Sequence, residues 1–161
     1  MNTAKPVITV RPALPQDAAE AARILTASIT LLCGADHGNA PEAVTEWTAN
    51  KTPDSLAQMI ANGGIRIAEL DGTPAAVGAL DLSKGTITLN YVDPAYRRRG
   101  LSAALLAAME AELAASGATT AKLTSTATAR DFYLRHGWRT AGPGRTGRWI
   151  LGYPLEKRLN P

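Results

Sequence analysis

Three consecutive cations, Arg97, Arg98 and Arg99, run into Gly100, Leu101 and Ser102 directly before the Ala-rich stretch LSAALLAAMEAELAAS. Positive charge therefore gathers at what reads as the start of a helix. A helix amino terminus already carries about +0.5 of an elementary charge, and each cation placed there costs about 0.3–1 kcal/mol unless an anion shares the site. The first turn also points unpaired backbone N–H groups outward, and glycine lets a ligand approach the main chain closely. Phosphate or pyrophosphate is the chemistry that fits. A solvated basic turn with its side chains splayed into water is the alternative that the charges alone leave open.

The rest of the composition narrows the classes. At 161 residues the chain reads as one domain, 1–161, long enough to bury about two-thirds of its unfolded surface without a disulfide or a metal. Its net charge is +3, and removing the arginine triplet leaves basic and acidic residues in balance. Aromatic content is 5% and no nucleic-acid motif accompanies the basic residues, so a nucleic-acid partner is not expected. Cys33 is the only cysteine, which rules out an internal disulfide and any multi-cysteine zinc site, and no metal is expected. A reducing cytoplasm is the natural compartment. MNTAKPVITV lacks the apolar core of a signal peptide, and no apolar run approaches the ~20 residues of a membrane span, so no membrane partner is expected.

The elements that must position the basic stretch follow from periodicity. Residues 6–11 read as a strand, and Pro15 with Asp17 opens a helix that buries Ala21, Ile24, Leu25, Ile29 and Leu32 and stops near Cys33 and Gly34. The loop GADHGNA leads to a short helix from Pro41 that ends by Asn50, and another helix runs from Pro53 to the Asn62-Gly63-Gly64 stop. Then the period changes. IRIAEL, PAAVGALDL and TITLNYV, separated by Asp71-Gly72 and Lys84-Gly85, read as an antiparallel meander. After the Ala-rich helix come TAKLT as a strand, TATARDFYLRH as a helix closed by Gly137, residues 138–141 as a strand, the loop GPGRTG, and RWILGYPLE as a last strand. This β-α-α-α-β-β-β-α-β-α-β-β order is an α/β fold with a mixed sheet.

Two segments together carry a family resemblance. Arg97-Arg98-Arg99-Gly100-Leu101-Ser102 after Val92-Asp93-Pro94 resembles the Q/R-x-x-G-x-G/A motif of the GCN5-related N-acetyltransferases (GNAT), with serine at the last position. Residues 126–138, TATARDFYLRHGW, resemble that family's N-x-x-A-x-x-x-Y-x-x-x-G-F element, with Thr126 in place of asparagine. Ser28-Ile29, Leu32-Cys33, Asp36-His37, Trp47 and Asn50-Lys51-Thr52-Pro53 are similar to a bacterial branch of the family, so the resemblance covers nearly the whole chain. It implies the GNAT fold, a mixed, mostly antiparallel sheet of about seven strands with splayed central strands and flanking helices. The function it implies is transfer of an acetyl group from acetyl-CoA to an amine, on a small molecule or a protein, directly in a ternary complex.

The resemblance also assigns roles. Tyr91 and Val92 would hold the acyl-pantetheine arm in the gap beside TAKLT. The pyrophosphate would lie on backbone N–H groups of residues 98–103, from Arg98 through Gly100, Leu101 and Ser102 to Ala103, with the guanidinium groups of Arg97, Arg98 and Arg99 screening its charge and Thr126 completing the coenzyme site. Tyr133 is the candidate catalytic side chain, its phenol hydrogen-bonding or protonating the departing sulfur; core packing is its other reading.

A general base is less evident. TITLNYV holds no carboxylate; by alternation Thr88 and Asn90 share a face with Val92 and are placed to hold a water, but neither is a base. His37, in the loop after the first helix with Asp36 as partner, is the preferred ionisable candidate; a turn-shaping pair on the surface is the alternative. Glu46, Glu69 and Asp81 stay open. Cys33, Asp36, His37, Trp47 and Asn50 are the acceptor-side candidates, though Cys33 reads more readily as a structural thiol than a nucleophile, and Trp47 as readily as a core anchor. The missing strand carboxylate and Thr126 leave a second function, a non-catalytic acyl-CoA-binding regulatory module. Dimers are common in the family, so a homodimer is possible, and acceptor identity rests on loops 34–40 and 142–147 that no motif specifies.

Overall fold

The computed structural model describes residues 5–147 and 150–159. The meander forms as the turns require: β2 (Ile65–Leu70), β3 (Thr73–Asp81) and β4 (Thr86–Val92) pair antiparallel, with β1 (Ile8–Pro12) on the outer edge of β2. β5 (Thr120–Ser125) lies parallel to β4, and β8 (Leu151–Arg158) lies antiparallel to β5 and carries β6 (Arg139–Thr140). The order β1-β2-β3-β4-β5-β8-β6 leaves β7 (Arg145–Thr146) paired with β8 off this path. GPGRTG is therefore part strand, and the sheet has eight strands where about seven were expected. The first residues of the expected last strand, Arg148 and Trp149, lie outside the described residues.

Helices cover both faces. α5 (Leu101–Ala115) buries Leu101, Leu105, Leu106, Met109 and Leu113 against one face of the sheet, while α1 (Ala18–Leu32) and α4 (Pro53–Ala61) bury Ile24, Leu25, Leu56 and Ile60 against the other. The bidentate pair of Arg66 on β2 with Glu112 on α5, at 2.8 and 2.9 Å, ties helix to sheet. Gly78 sets how closely they approach: a Cβ there would stand 2.9 Å from Met109 Sδ and 3.0 Å from Leu105 Cγ. Gly78→Ala should accordingly destabilise the fold by about 1–2 kcal/mol through overpacking, read from the midpoint of urea unfolding; an unchanged midpoint would mean that α5 rides freely on the sheet.

Two local features depart from the sequence reading. Residues 34–37 are not loop but a single helical turn, α2 (Gly34–His37), closed by Gly38 at φ +60°, and α3 (Pro41–Thr48) follows. In β4 the register passes from Ala79↔Leu89 to Leu80↔Ile87, which leaves Thr88 as an extra, bulged residue. Ile87 consequently packs on the α5 side while Leu89 and Tyr91 pack on the α1 side. Strict alternation had put Thr88 on one face with Asn90 and Val92; the bulge breaks that set, and only Asn90 and Val92 stay together toward α5.

Candidate active site

β4 and β5 begin side by side and then part. Their one registered pair is Thr86↔Lys122, reinforced by the Lys122 N–H donating to Gly85 O at 3.0 Å. Beyond it, among the described residues, β5 pairs only with β8, and a gap opens between Val92 and Ser125. Cavities lie along this gap, one of about 280 Å³ and one of about 870 Å³, and Thr88, Tyr91, Leu123, Thr124, Ser125 and Thr126 border both. The smaller is walled by Arg97, Arg98 and Ser102 near the start of α5, by Asn90 of β4, and by Phe132 and Tyr133 from α6 (Ala127–Arg135).

The basic end is held by the sequence immediately before it. Asp93 accepts from Ala95 N–H at 3.0 Å with one oxygen and from Arg23 on α1 at 2.6 Å with the other, fixing the end of β4 and the short turn Pro94–Tyr96. The chain then reaches α5 through two left-handed residues, Arg98 at φ +64° and Gly100 at φ +84°. Gly100 adopts that conformation freely, whereas Arg98 bears about 1–2 kcal/mol of strain. Among the described residues no side chain caps α5, and no carboxylate stands in its first turn. Among the described residues, Arg97, Arg98 and Arg99 form no salt bridge, and Arg99 lies over the Tyr96 ring at 5.8 Å. Arg97 and Arg98 border the cavity. The arrangement offers unpaired N–H groups and unneutralised guanidinium groups to an anion.

At the other end, Tyr133 is buried, with its ring edge-on to Trp138 at 5.9 Å and Phe132 at 5.2 Å. Burial pushes its phenol up to about 12, and the Asn90 side chain draws it part of the way back. Tyr91 is pushed up too, by burial first and then by the groups around it. Both phenols keep their protons at neutral pH.

A family model described as an acetyltransferase (GNAT) domain matches residues 36–159. The chain belongs to the GNAT family of acetyltransferases. It is 25% identical over 155 residues to YafP, an uncharacterized N-acetyltransferase of Escherichia coli K12, with 92% of this chain and 95% of YafP covered. A GCN5-related N-acetyltransferase of Rhodopseudomonas palustris matches at TM-score 0.85 and 28% identity, over 99% of both chains. The PaiA N-acetyltransferase of Thermoplasma acidophilum, solved with coenzyme A, has the same fold at TM-score 0.76 and 16% identity, over 94% of this chain and 99% of that one.

The acceptor-side residues of this GNAT chain fall differently from the sequence reading. His37 is buried, with Nδ1 accepting from Asn39 N–H at 2.9 Å and Nε2 at 2.7 Å from Ile29 O, so both ring nitrogens are committed to the backbone and the imidazole borders neither cavity. It is a clamp between α1 and α2, not a base beside the gap. Asp36 turns away from His37. Its carboxylate accepts from Ala127 N–H at 2.6 Å, from Thr128 N–H at 3.1 Å and from Thr128 Oγ1 at 2.5 Å, while Thr126 Oγ1 accepts from Ala129 N–H at 3.1 Å. Thr126 thus borders both cavities but spends its hydroxyl on the helix that carries Tyr133. Asp36→Ala should cost about 1–2 kcal/mol of stability by stripping two N–H groups of their cap, with Asp36→Asn costing less in the same urea titration; equal midpoints for all three proteins would remove the cap from the account.

Cys33 borders the smaller cavity, but burial, with Asp36 nearby, pushes its thiol up to about 12, so it stays protonated. Trp47 packs in a cluster with Ile29 and Cys33 and also borders the larger cavity. Asn50 is exposed, accepts from Lys51 Nζ at 2.7 Å, and reaches neither cavity. Glu69 is engaged by Arg11 and Asp81 by Ser83, and with Glu46 they lie away from the gap. Glu156 on β8 does border the larger cavity, joined to Arg139 at 3.1 Å. The sequence reading missed it, because which strand lies beside β5 is not written in local periodicity.

Proposed function

We propose that this chain moves an acetyl group from acetyl-CoA to an amine that enters from the other side of the β4–β5 gap. The observation that carries the reading is the gap itself, bordered by two cavities that share Thr88, Tyr91 and residues 123–126, so that donor and acceptor can meet between the strands. The smaller cavity takes the acyl-pantetheine arm along Tyr91 and Val92, and the N–H groups of Arg98, Gly100, Leu101, Ser102 and Ala103 take the pyrophosphate, with Arg97, Arg98 and Arg99 around it. The larger cavity takes the acceptor. Family membership supports both assignments.

In the reaction the free amine nitrogen attacks the thioester carbonyl, an N–C bond forms, the C–S bond breaks with its electron pair going to sulfur, and the nitrogen gives up one proton to water at the open mouth or to the departing thiolate. Tyr133 donates a hydrogen bond to that sulfur as charge develops. With its phenol near 12 in the free protein, Tyr133 holds its proton more firmly than a thiol of ordinary pKa about 8.5; it stabilises the thiolate and does not need to surrender the proton. Among the described residues no carboxylate or imidazole borders the smaller cavity, and Glu156 is tied to Arg139. The amine therefore enters deprotonated, or loses its proton to water at the open mouth.

Calorimetry with acetyl-CoA, followed by coenzyme release with a panel of amines, tests the reading: no binding at near-millimolar acetyl-CoA rejects it at the first step, and binding without turnover on any amine rejects the transfer. A pH profile adds a sharper expectation. With no protein base, kcat/KM should rise with pH as the free-amine fraction rises, and its inflection should move with the pKa of the amine supplied. An inflection fixed near 6–7 for every amine would instead place a protein group in the step.

A further inference from the structure

Asn90 lies on β4 opposite Gly78, and its Nδ2 donates to the Ser102 carbonyl in the first turn of α5 at 3.4 Å. That contact fixes which way the amide faces, because the reversed amide would set Oδ1 against another oxygen. Among the described residues, the Asn90 Oδ1 is then buried and has no hydrogen-bond partner. A buried acceptor left without a donor is destabilising, so a donor brought there by a bound molecule is favoured. It borders the smaller cavity between two landmarks: Ser102, beside Arg97 and Arg98, and the Tyr133 phenol, which feels the Asn90 side chain directly.

We propose that Asn90 Oδ1 binds the pantetheine arm of the coenzyme by accepting a hydrogen bond from one of its amide N–H groups. This rests on the reading that the smaller cavity takes the coenzyme. In coenzyme A the two neutral amides stand between the pyrophosphate and the sulfur. Asn90 occupies the corresponding stretch of the cavity, between the basic turn and Tyr133. The strand motif does not specify this residue: Val92 and Pro94 match the family pattern, but nothing in that pattern asks for an amide side chain at position 90. The asparagine also explains itself energetically, since its donor is used within the protein and only its acceptor is left over.

Titration calorimetry on the full chain separates this role from the others. Coenzyme A and 3′-phosphoadenosine 5′-diphosphate are each titrated into the native protein, Asn90→Leu and Asn90→Ala. The second ligand keeps the pyrophosphate and lacks the arm. Coenzyme A should bind about tenfold more weakly to both variants, the loss of one hydrogen bond, while the truncated ligand binds all three proteins alike. The ligand-free Asn90→Leu protein should melt no lower than native, because an unpartnered acceptor has been removed. Equal losses on both ligands would mean that Asn90 merely shapes the start of α5, and undiminished coenzyme A affinity would dismiss the contact; either result overturns the proposal. If the native protein binds neither ligand, the assignment of the cavity itself falls instead.

Discussion

Tyr133→Phe should lower kcat about 100-fold while leaving the dissociation constant of acetyl-CoA within about twofold, the effect of removing one donor from a developing negative charge. The substitution keeps the ring, so the edge contacts with Trp138 and Phe132 and the buried place of the residue are retained. Only the O–H is lost. Stopped-flow or steady-state coenzyme release gives kcat, and calorimetry gives affinity. A second readout identifies the atom concerned: an acyl donor whose thiol is a better leaving group puts less demand on stabilisation at sulfur, so the defect should shrink with it. A variant with native kcat and weakened acetyl-CoA binding would move Tyr133 from the sulfur to the cavity wall. The pH behaviour follows with its sign. Because burial raises the phenol to about 12, the hydroxyl is protonated throughout the neutral and mildly alkaline range, and no alkaline fall in rate below about pH 10 should trace to it. Folding is linked in the same direction: stability contributed by burying the neutral phenol is intact below the unfolded value near 10 and is lost as pH rises toward the folded value near 12.

What could be read along the chain was whatever is written locally. The Asp71-Gly72 and Lys84-Gly85 turns gave the meander, and the arginine triplet with Gly100 marked the start of a helix; both are present in the fold. Long-range pairing was invisible. Asp36 and His37 are adjacent and suggested an acid–base couple, yet one caps a helix that starts 91 residues later and the other clamps the end of α1. Neighbours in sequence on a single helical turn point in different directions, so adjacency predicted a partnership that the turn forbids. The bulge at Thr88 escaped for a related reason: one extra residue reverses the alternation on one side of it, and no residue type in TITLNYV marks where. Glu156 and the extra strand Arg145–Thr146 depend on how β8 crosses beside β5, a choice made by the whole sheet.

The basic turn yields the other large effect. Arg97→Ala/Arg98→Ala should weaken coenzyme A about 100-fold, at two charge-assisted contacts to phosphate discounted for the exposure of both side chains. Thermal stability should hardly move, since neither arginine forms a salt bridge in the described residues. Salt supplies the discriminating measurement. Native affinity should fall between low and physiological ionic strength, and the double variant should show a flatter dependence, because screened guanidinium groups and deleted ones are the same loss. Arg98→Gly then separates the side chain from the backbone. Glycine adopts the φ of +64° held by Arg98 without its strain, so this variant keeps the N–H cradle and removes one cation. Its melting temperature should not fall, relief of strain offsetting the extra freedom of the unfolded glycine, while coenzyme A binds about tenfold more weakly. A parallel fall in stability and affinity would show that the left-handed arginine supports the turn through its side chain. Salt-independent binding in the native protein would exclude the triplet from the anion site altogether, leaving the N–H groups at the start of α5 to hold the pyrophosphate alone.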